Sequence, residues 1–428
     1  MQIKPSLSLN YRSLIASVCG NFIEWYDFAL YLLLAPILAT HFFPQNAENW
    51  GLIGTFTVYA VSFFFRPVGG LIFGYIGDIY GRRVALRYSL SCLAGLSVVL
   101  AILPSYSQAG VYAPILLCLC RIGQGICLGG EFAGSMIYLS ESAQAHRRSF
   151  FSALSNNGSN AGILVASISA TVLSHTMSEA NFADWGYRIL FFGGGMVGLI
   201  GFAFRSDLQE SQAFLKCSQK ISNPLLTIIK YHKRAFLRLF AMVSIAAISS
   251  YGLMGYASSF LQQSLSVPLR TALHYETLFI LLTLVLVPIC ATFADRFTPQ
   301  RLLKYTCMLY LCAALPCFYL VYAFQQPLFL IPLFMIYSIE EACTPALLGN
   351  YFPVALRYTG VSLAYNICMG LIGGISPMLV QFLLVQCHLP YSIAYLLMGG
   401  SLLTLWGLKI PELSYEGEEV LHPSLLET

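Results

Sequence analysis

Apolar residues in this chain run in long unbroken blocks separated by short polar breaks. They show neither the two-residue alternation of a strand nor the narrow stripe of a surface helix. A bilayer core about 30 Å thick is crossed by about 20 helical residues. Blocks of that order recur at 13–40, 51–76, 84–104, 111–139, 150–175, 187–205, 236–262, 274–294, 304–323, 327–349, 359–386 and 391–409. The pattern predicts an all-α membrane protein with twelve transmembrane helices. A β-barrel is disfavoured, because barrel strands alternate over short segments. Residues 1–12 are mildly polar, and no short apolar core with a small-residue cleavage site follows. The first block therefore reads as a retained helix and not as a signal peptide.

Composition narrows the class. Hydrophobic residues make up 57% of the 428-residue chain and charged residues 10%, against roughly 25% charged in soluble domains. A cytosolic enzyme, a disordered chain and a nucleic-acid binder are excluded. The 13 cysteines lie mostly inside apolar blocks without metal-ligand spacing, so they read as small apolar filler, and no cofactor or metal is expected. The net charge of +4 informs only through its location. Of 23 basic residues, Arg188 and Arg270 fall on one side of the predicted membrane and Arg66 and Arg121 inside apolar segments. All the others, Lys4 and Lys409 included, fall on the side of the termini. By the positive-inside rule both termini are cytoplasmic, which requires an even number of spans.

The longest polar stretch carries Asp207, Glu210, Lys216, Lys220 and Lys233 and divides six spans from six. The expected organisation is a six-helix bundle over 1–205, a cytoplasmic linker over 206–235, a second six-helix bundle over 236–410 and a short acidic cytoplasmic tail over 411–428. Two such halves are common among secondary transporters, whose solute site lies near the midplane. A faint repeat supports two related halves: Gly77-Asp78-Ile79-Tyr80-Gly81-Arg82-Arg83 follows the second span, and Ala294-Asp295-Arg296 follows the eighth.

Ionisable residues inside apolar segments carry the chemistry, because each costs about 2.5–3.5 kcal/mol at the bilayer centre on insertion scales. They are Glu24, Asp27, Arg66, Arg121, Glu131, Glu340 and Glu341. Glu24 and Asp27 share a helical face, extended by Asn21 and Tyr31. Two carboxyls so close in a dry site do not both ionise cheaply, which suits a proton carrier; the competing reading is a fixed ion pair with Arg66 or Arg121. Arg121 and Gln124 are three apart, with Glu131 further along the same helix. A guanidinium keeps its charge and fits a carboxylate with a fork of donors. Arg121 either pairs with Asp27 permanently or exchanges it for an anionic group of a solute. Glu340 and Glu341 point about 100° apart, so at least one should reach a cavity. Glycines at four-residue spacing, among them Gly125, Gly129, Gly70 and Gly74, are expected to let helices approach closely.

The loop Gly74-Tyr-Ile-Gly-Asp78-Ile-Tyr-Gly81-Arg82-Arg83 resembles the loop motif of the major facilitator superfamily, with Ile79 where a basic residue is usual. Within that superfamily the chain resembles the metabolite:proton symporter branch, which includes proline/betaine and 2-oxoglutarate permeases. The resemblance is carried by Gly20-Asn21-Phe-Ile-Glu24-Trp25-Tyr26-Asp27-Phe28, Arg66-Pro67-Val-Gly69-Gly70, Gln124-Gly125, Gly130-Glu131-Phe132, Ala180-Asn181-Phe182-x-Asp184-Trp185-Gly186-Tyr187-Arg188, and Phe352-Pro353-x3-Arg357-Tyr358-Thr359-Gly360-Val-Ser362. Residues 180–192 and 103–117 look most like the proline/betaine type. Arg121, however, is the residue of dicarboxylate-type members, where the osmolyte type often has Lys. The second-half loop motif is eroded at Pro299 and Gln300. The short acidic segment after Lys409 lacks heptads, so osmotic activation through a coiled coil is not expected.

The resemblance implies the major facilitator fold, with twelve helices in two pseudo-symmetric halves. It implies that Asp78, Arg82 and Arg83 are gate parts, with Arg82 and Arg83 meeting acidic groups such as Glu141, and that the solute does not touch them. The expected activity is proton-coupled symport of a small zwitterion or organic acid, proline or betaine first. Asp27 or Glu24 would carry the proton, and Arg121, Gln124, Glu131, Asn21, Tyr31, Arg66 and Glu340 would line the solute site. The expected partners are a small solute, protons and the lipid bilayer of a bacterial-type plasma membrane, with the chain a monomer. The alternatives are a dicarboxylate symporter, a drug or metabolite exporter, and a non-transporting membrane sensor.

Overall fold

The computed structural model describes residues 11–44, 50–205, 208–217 and 221–410, which are almost wholly helical. Lys4, Asp207, Lys220 and the tail 411–428 lie outside the described residues. By length and hydropathy nine described helices can cross a membrane, or ten if one sharply bent pair counts as a single span. Two further predicted spans, 150–175 and 391–409, coincide with helices Arg148–Thr176 and Ser392–Lys409, which do not pass that test. Serine and asparagine dilute the first, and glycine, serine and a terminal lysine dilute the second. Hydropathy thus reaches nine or ten of the twelve expected spans. The chain divides into two compact units, Met1–Gln144 with Gly158–Ser218, and Ala145–Asn157 with Gln219–Thr428.

The first unit opens with α1 (Tyr11–Leu33) and α2 (Ala35–Phe42), which meet at a 70° bend. Pro36, in the first turn of α2, supplies no N–H and so fits a helix start better than a helix interior. Next come α3 (Trp50–Ile79), α4 (Arg82–Ile102), α5 (Tyr112–Ser142), α6 (Arg148–Thr176), whose residues up to Asn157 belong to the second unit, and α7 (Tyr187–Arg205). The Tyr31 hydroxyl donates to the Thr55 carbonyl (3.0 Å) and ties α1 to α3. Leu30, Tyr31, Leu38, Phe42, Leu117 and Tyr187 belong to a buried apolar cluster.

Helices α3 and α5 approach most closely where side chains are absent. A methyl group on Gly125 would overlap the Ser62 carbonyl, one on Gly129 the Arg66 carbonyl, and one on Gly69 the Ile126 carbonyl. The four-residue spacing of Gly125 and Gly129 repeats that approach one turn further along. Lipid tails are as apolar as leucine, so burial alone gives membrane helices little reason to associate, and this close packing is what holds the pair.

The second unit contains α8 (Lys233–Ile248), α9 (Ala257–Leu265), α10 (Leu269–Phe297), α11 (Pro299–Phe324), α12 (Ile331–Leu348), α13 (Arg357–Cys368), α14 (Gly374–Val385) and α15 (Ser392–Lys409). Wider, π-helical turns follow α8 at Ser249–Met254 and α13 at Met369–Gly373. Asp295, at the end of α10, accepts the backbone N–H groups of Ser149 (2.6 Å) and Phe150 (3.1 Å). It thereby satisfies two of the donors that the first turn of α6 leaves open.

The glycine contacts predict a graded response to added volume. Gly125→Val should lower the thermal stability of the purified protein by about 1–3 kcal/mol. Gly95→Ala meets nothing within 4 Å and should leave it unchanged or slightly higher. Equal melting temperatures for the two variants would show that α3 and α5 do not depend on this contact.

Candidate functional site

In the first unit the membrane-embedded charges form two groups that differ in how completely they are satisfied. The first joins Asp27 on α1 to Arg121 and Gln124 on α5, all buried. Arg121 Nη1 lies 3.4 Å from Asp27 Oδ2 and donates to Gln124 Oε1 at 2.8 Å. Gln124 Nε2 donates to Asp27 Oδ2 (2.7 Å) and to Ser97 Oγ on α4 (3.2 Å). The amide therefore bridges acid and base, with its oxygen to the guanidinium and its nitrogen to the carboxylate. Three-residue spacing on α5 brings Arg121 and Gln124 to the same carboxylate.

An aromatic wall encloses the cation. The Arg121 guanidinium carbon sits 3.8 Å from the Tyr31 ring centroid, 5.5 Å from Phe28 and 6.0 Å from Phe191. Tyr31 is itself stacked with Tyr59. The electron-rich ring face attracts the cation and fixes the plane in which its donors lie. Arg121 Nε and Nη2 and Asp27 Oδ1 are nevertheless buried without hydrogen-bond partners. A buried unpaired donor costs about 1–3 kcal/mol, so this pair is only partly compensated.

The second group is saturated. Arg205, at the end of α7, grips both carboxylate oxygens of Glu131, Nη1 reaching Oε2 at 2.8 Å and Nη2 reaching Oε1. Ser89 Oγ donates to Glu131 Oε2 at 2.5 Å. Arg205 also donates from Nε to the Ala16 carbonyl (3.0 Å) and from Nη1 to the Leu86 carbonyl. The network ties α1, α4, α5 and α7 together. Gly20 leaves room for it, since a methyl there would strike both charged groups. Glu131 was expected among solute-lining residues, but its oxygens are occupied within the unit. Arg205 was expected among loop cations, yet it is fully buried. The sequence signal for it was the lone acid at Glu131, which demanded a cation.

Glu24 is fully buried, and neither carboxyl oxygen has a hydrogen-bond partner. Arg66 on α3 is the cation whose field it feels most; its guanidinium lies 5.6 Å from the Phe63 ring centroid. Asn21 accepts from Ser135 Oγ (3.1 Å). Glu340 lies on α12 in the second unit and accepts from Ser249 Oγ at 2.6 Å.

The loop motif forms a separate cluster. Arg82 donates to Asp78 Oδ1 (3.0 Å), the Gly77 carbonyl (2.7 Å) and Glu141 (3.2 and 3.3 Å). Glu210 accepts the backbone N–H groups of Arg82 (3.1 Å) and Arg83 (3.2 Å), which caps α4. Gly81 reaches φ +112 in front of it. Ser211 donates to Glu141 (2.5 Å), and the Phe214 ring lies under Arg82 at 5.1 Å. The start of the linker is thus docked on the loop. In the sequence Glu210 reads only as a linker charge.

Among the described residues no group of His, Cys, Asp and Glu has the arrangement of a metal site. The sugar (and other) transporter family matches residues 13–224. The chain is 29% identical over 402 residues to the proline/betaine transporter of Escherichia coli and to that of Salmonella typhimurium, covering 90% of this chain and 80% of each relative. The solved structure of the proton:xylose symporter XylE bound to 6-bromo-6-deoxy-D-glucose superposes with a TM-score of 0.79 at 18% identity, covering 94% of this chain and 96% of that one.

The saturated pair generates a stability prediction. Arg205→Ala should cost about 3–5 kcal/mol, because it strands Glu131 in the interior, whereas the double variant Glu131→Leu, Arg205→Met should recover most of that loss. Thermal unfolding in detergent measures both. A double variant no more stable than Arg205→Ala would show that the two charges do not act as a pair.

Proposed function

We propose that this chain, which belongs to the major facilitator superfamily and is a multi-pass secondary transporter rather than an enzyme, takes up a small zwitterion or organic acid together with protons. A proline- or betaine-like solute is the first reading. Asp27 is the coupling acid, with Glu24 beside it on the same face, and Arg121 is the solute anchor. The observation that carries this is the incomplete pairing at Arg121: one nitrogen engages Asp27 and Gln124, while Nε and Nη2 are buried donors without acceptors.

A solute carboxylate supplies two acceptors in the fork geometry that a guanidinium favours. Protonation of Asp27 removes its charge and frees Arg121. The carboxylate then replaces the lost countercharge, so the unit holds a compensated pair before and after the exchange. Leaving Arg121 alone would strand a buried cation, at about 3–5 kcal/mol. That penalty couples proton uptake to solute uptake, because neither half-loaded state is cheap. Gln124 keeps Asp27 and Arg121 in register through the exchange, and Tyr31 holds the guanidinium plane. Glu131 is assigned to structure in this scheme, and the Asp78, Arg82 and Glu141 cluster to gating.

A dicarboxylate is the second reading, favoured by a guanidinium at Arg121 where osmolyte-type members often carry an amine. Vesicles with an imposed pH gradient and labelled proline, glycine betaine or 2-oxoglutarate distinguish the two. Gradient-stimulated uptake of one solute is expected, and uptake indifferent to the gradient would end the coupling claim. Asp27→Asn should abolish gradient-driven accumulation and spare solute exchange; equal loss of both assigns Asp27 to structure. Arg121→Lys loses the fork and should weaken apparent affinity by about 10- to 100-fold, the equivalent of one charged hydrogen bond.

A further inference from the structure

The second unit buries two neighbouring carboxyls, Glu340 and Glu341, in the middle of α12. Among the described residues neither makes an ion pair. They are buried, and Glu340 is held by hydroxyl groups. The titratable groups near them are Tyr337 and Cys343 on α12 and Cys307 and Tyr310 on α11. None of these supplies a positive charge. In the first unit, by contrast, Glu131 and Asp27 each meet an arginine. Two adjacent carboxylates without a cation do not both stay ionised in a low-dielectric interior.

The hydroxyls around Glu340 are arranged to serve either protonation state. Ser249 Oγ donates to Oε2 at 2.6 Å and Thr344 Oγ1 to Oε1 at 3.0 Å. Ser249 opens the π-helical turn that follows α8, a local widening found often at functional sites. A hydroxyl both donates and accepts, so each of the two can donate to the Glu340 carboxylate and accept from the acid O–H. A carboxyl built to remain ionised would be given cations, and one built to remain neutral would not need two hydroxyl donors.

We propose that Glu340 is a second proton-binding carboxyl, housed in the second unit, that loads and releases one proton between the Ser249 and Thr344 hydroxyls. This assigns Glu340 to the proton and not to the solute, and it rests on the proton-coupled reading above. In the exchange a proton joins one Glu340 oxygen, and the hydroxyls of Ser249 and Thr344 remain on the carboxyl, the one facing the new O–H accepting from it. No redox change or bond to carbon is involved.

Infrared difference spectroscopy of the full-length protein in lipid, titrated with acid and base, tests the assignment without requiring transport. The wild type should show a protonated-carboxyl C=O band that fades as pH rises, and E340Q should lack one carboxyl's share of it. Should E340Q fail to fold, Thr344→Val supplies the check: loss of one hydroxyl donor should shift the band to higher frequency. A band unchanged in E340Q, or in Thr344→Val where that variant is the one read, overturns the proposal. So does loss of the band at constant pH on adding sodium chloride, which would make the site one for a metal cation. Proline uptake in vesicles separates the two claims. If the wild type ignores a pH gradient while the Glu340 band is present, the coupled-transport reading fails and the proton site stands. If uptake follows the gradient and no Glu340 band exists, this inference alone fails.

Discussion

A charge in the interior of a bilayer has to be answered by an opposite charge, by a proton or by a set of dipoles, and the buried polar residues of both units are organised around that requirement. The bidentate Glu131–Arg205 pair meets it most completely. Both carboxylate oxygens are held, and the leftover guanidinium donors go to the backbone of α1 and α4. Taking two ions out of water costs several kcal/mol each, so the pair lends order and register more than net stability. Gly20 shows how strictly the space is allotted, since only hydrogen fits between the pair and the backbone of α1.

Against that fixed pair, Asp27 and Arg121 stand out by their incompleteness. Their direct contact is 3.4 Å, and a side-chain amide carries much of the connection. Two buried ion pairs in one unit therefore have different characters because of their surroundings. Glu131 has a serine donor and a guanidinium engaged on both oxygens. Asp27 keeps one oxygen without a partner and faces a guanidinium whose other contacts are the Gln124 amide oxygen and aromatic rings. A pair held by one long contact can exchange partners; a pair held by two direct bonds, with a serine and two carbonyls engaging the rest, cannot do so without dismantling its site.

Much of the fold was legible because the bilayer imposes one solution on a long apolar block, a helix that satisfies its own backbone. Each of the twelve predicted blocks falls on a described helix or on a pair joined by a bend or a wider turn, while hydropathy alone certifies nine or ten. The link between Asp27, Arg121 and Gln124 was also legible in part, since residues three apart on one helix face a pair of acids on another, although Glu24 and Arg66 offered a second way to balance the charge. Less legible was anything that depends on which helix ends turn inward. Arg205 closes a predicted span and reads as a loop cation, yet the long side chain folds back to Glu131. Glu210 lies in a polar linker and reads as solvated, yet it caps α4. Such contacts join residues far apart in the chain, and local pattern carries no information about them.

The aromatic wall explains why the incomplete pair remains incomplete. Water would satisfy Arg121 Nε and Nη2 at little cost and remove the tension that makes a solute carboxylate welcome. Tyr31, Phe28 and Phe191 surround the guanidinium with surfaces that attract its charge and accept no conventional hydrogen bond from it. The Tyr31 hydroxyl donates to the Thr55 carbonyl on α3, which holds the ring against the guanidinium. The cation is thus stabilised as a charge but left unsatisfied as a donor. Those two needs separate only for a planar guanidinium with several N–H groups in fixed directions, and a group that supplies two acceptors and one negative charge meets both.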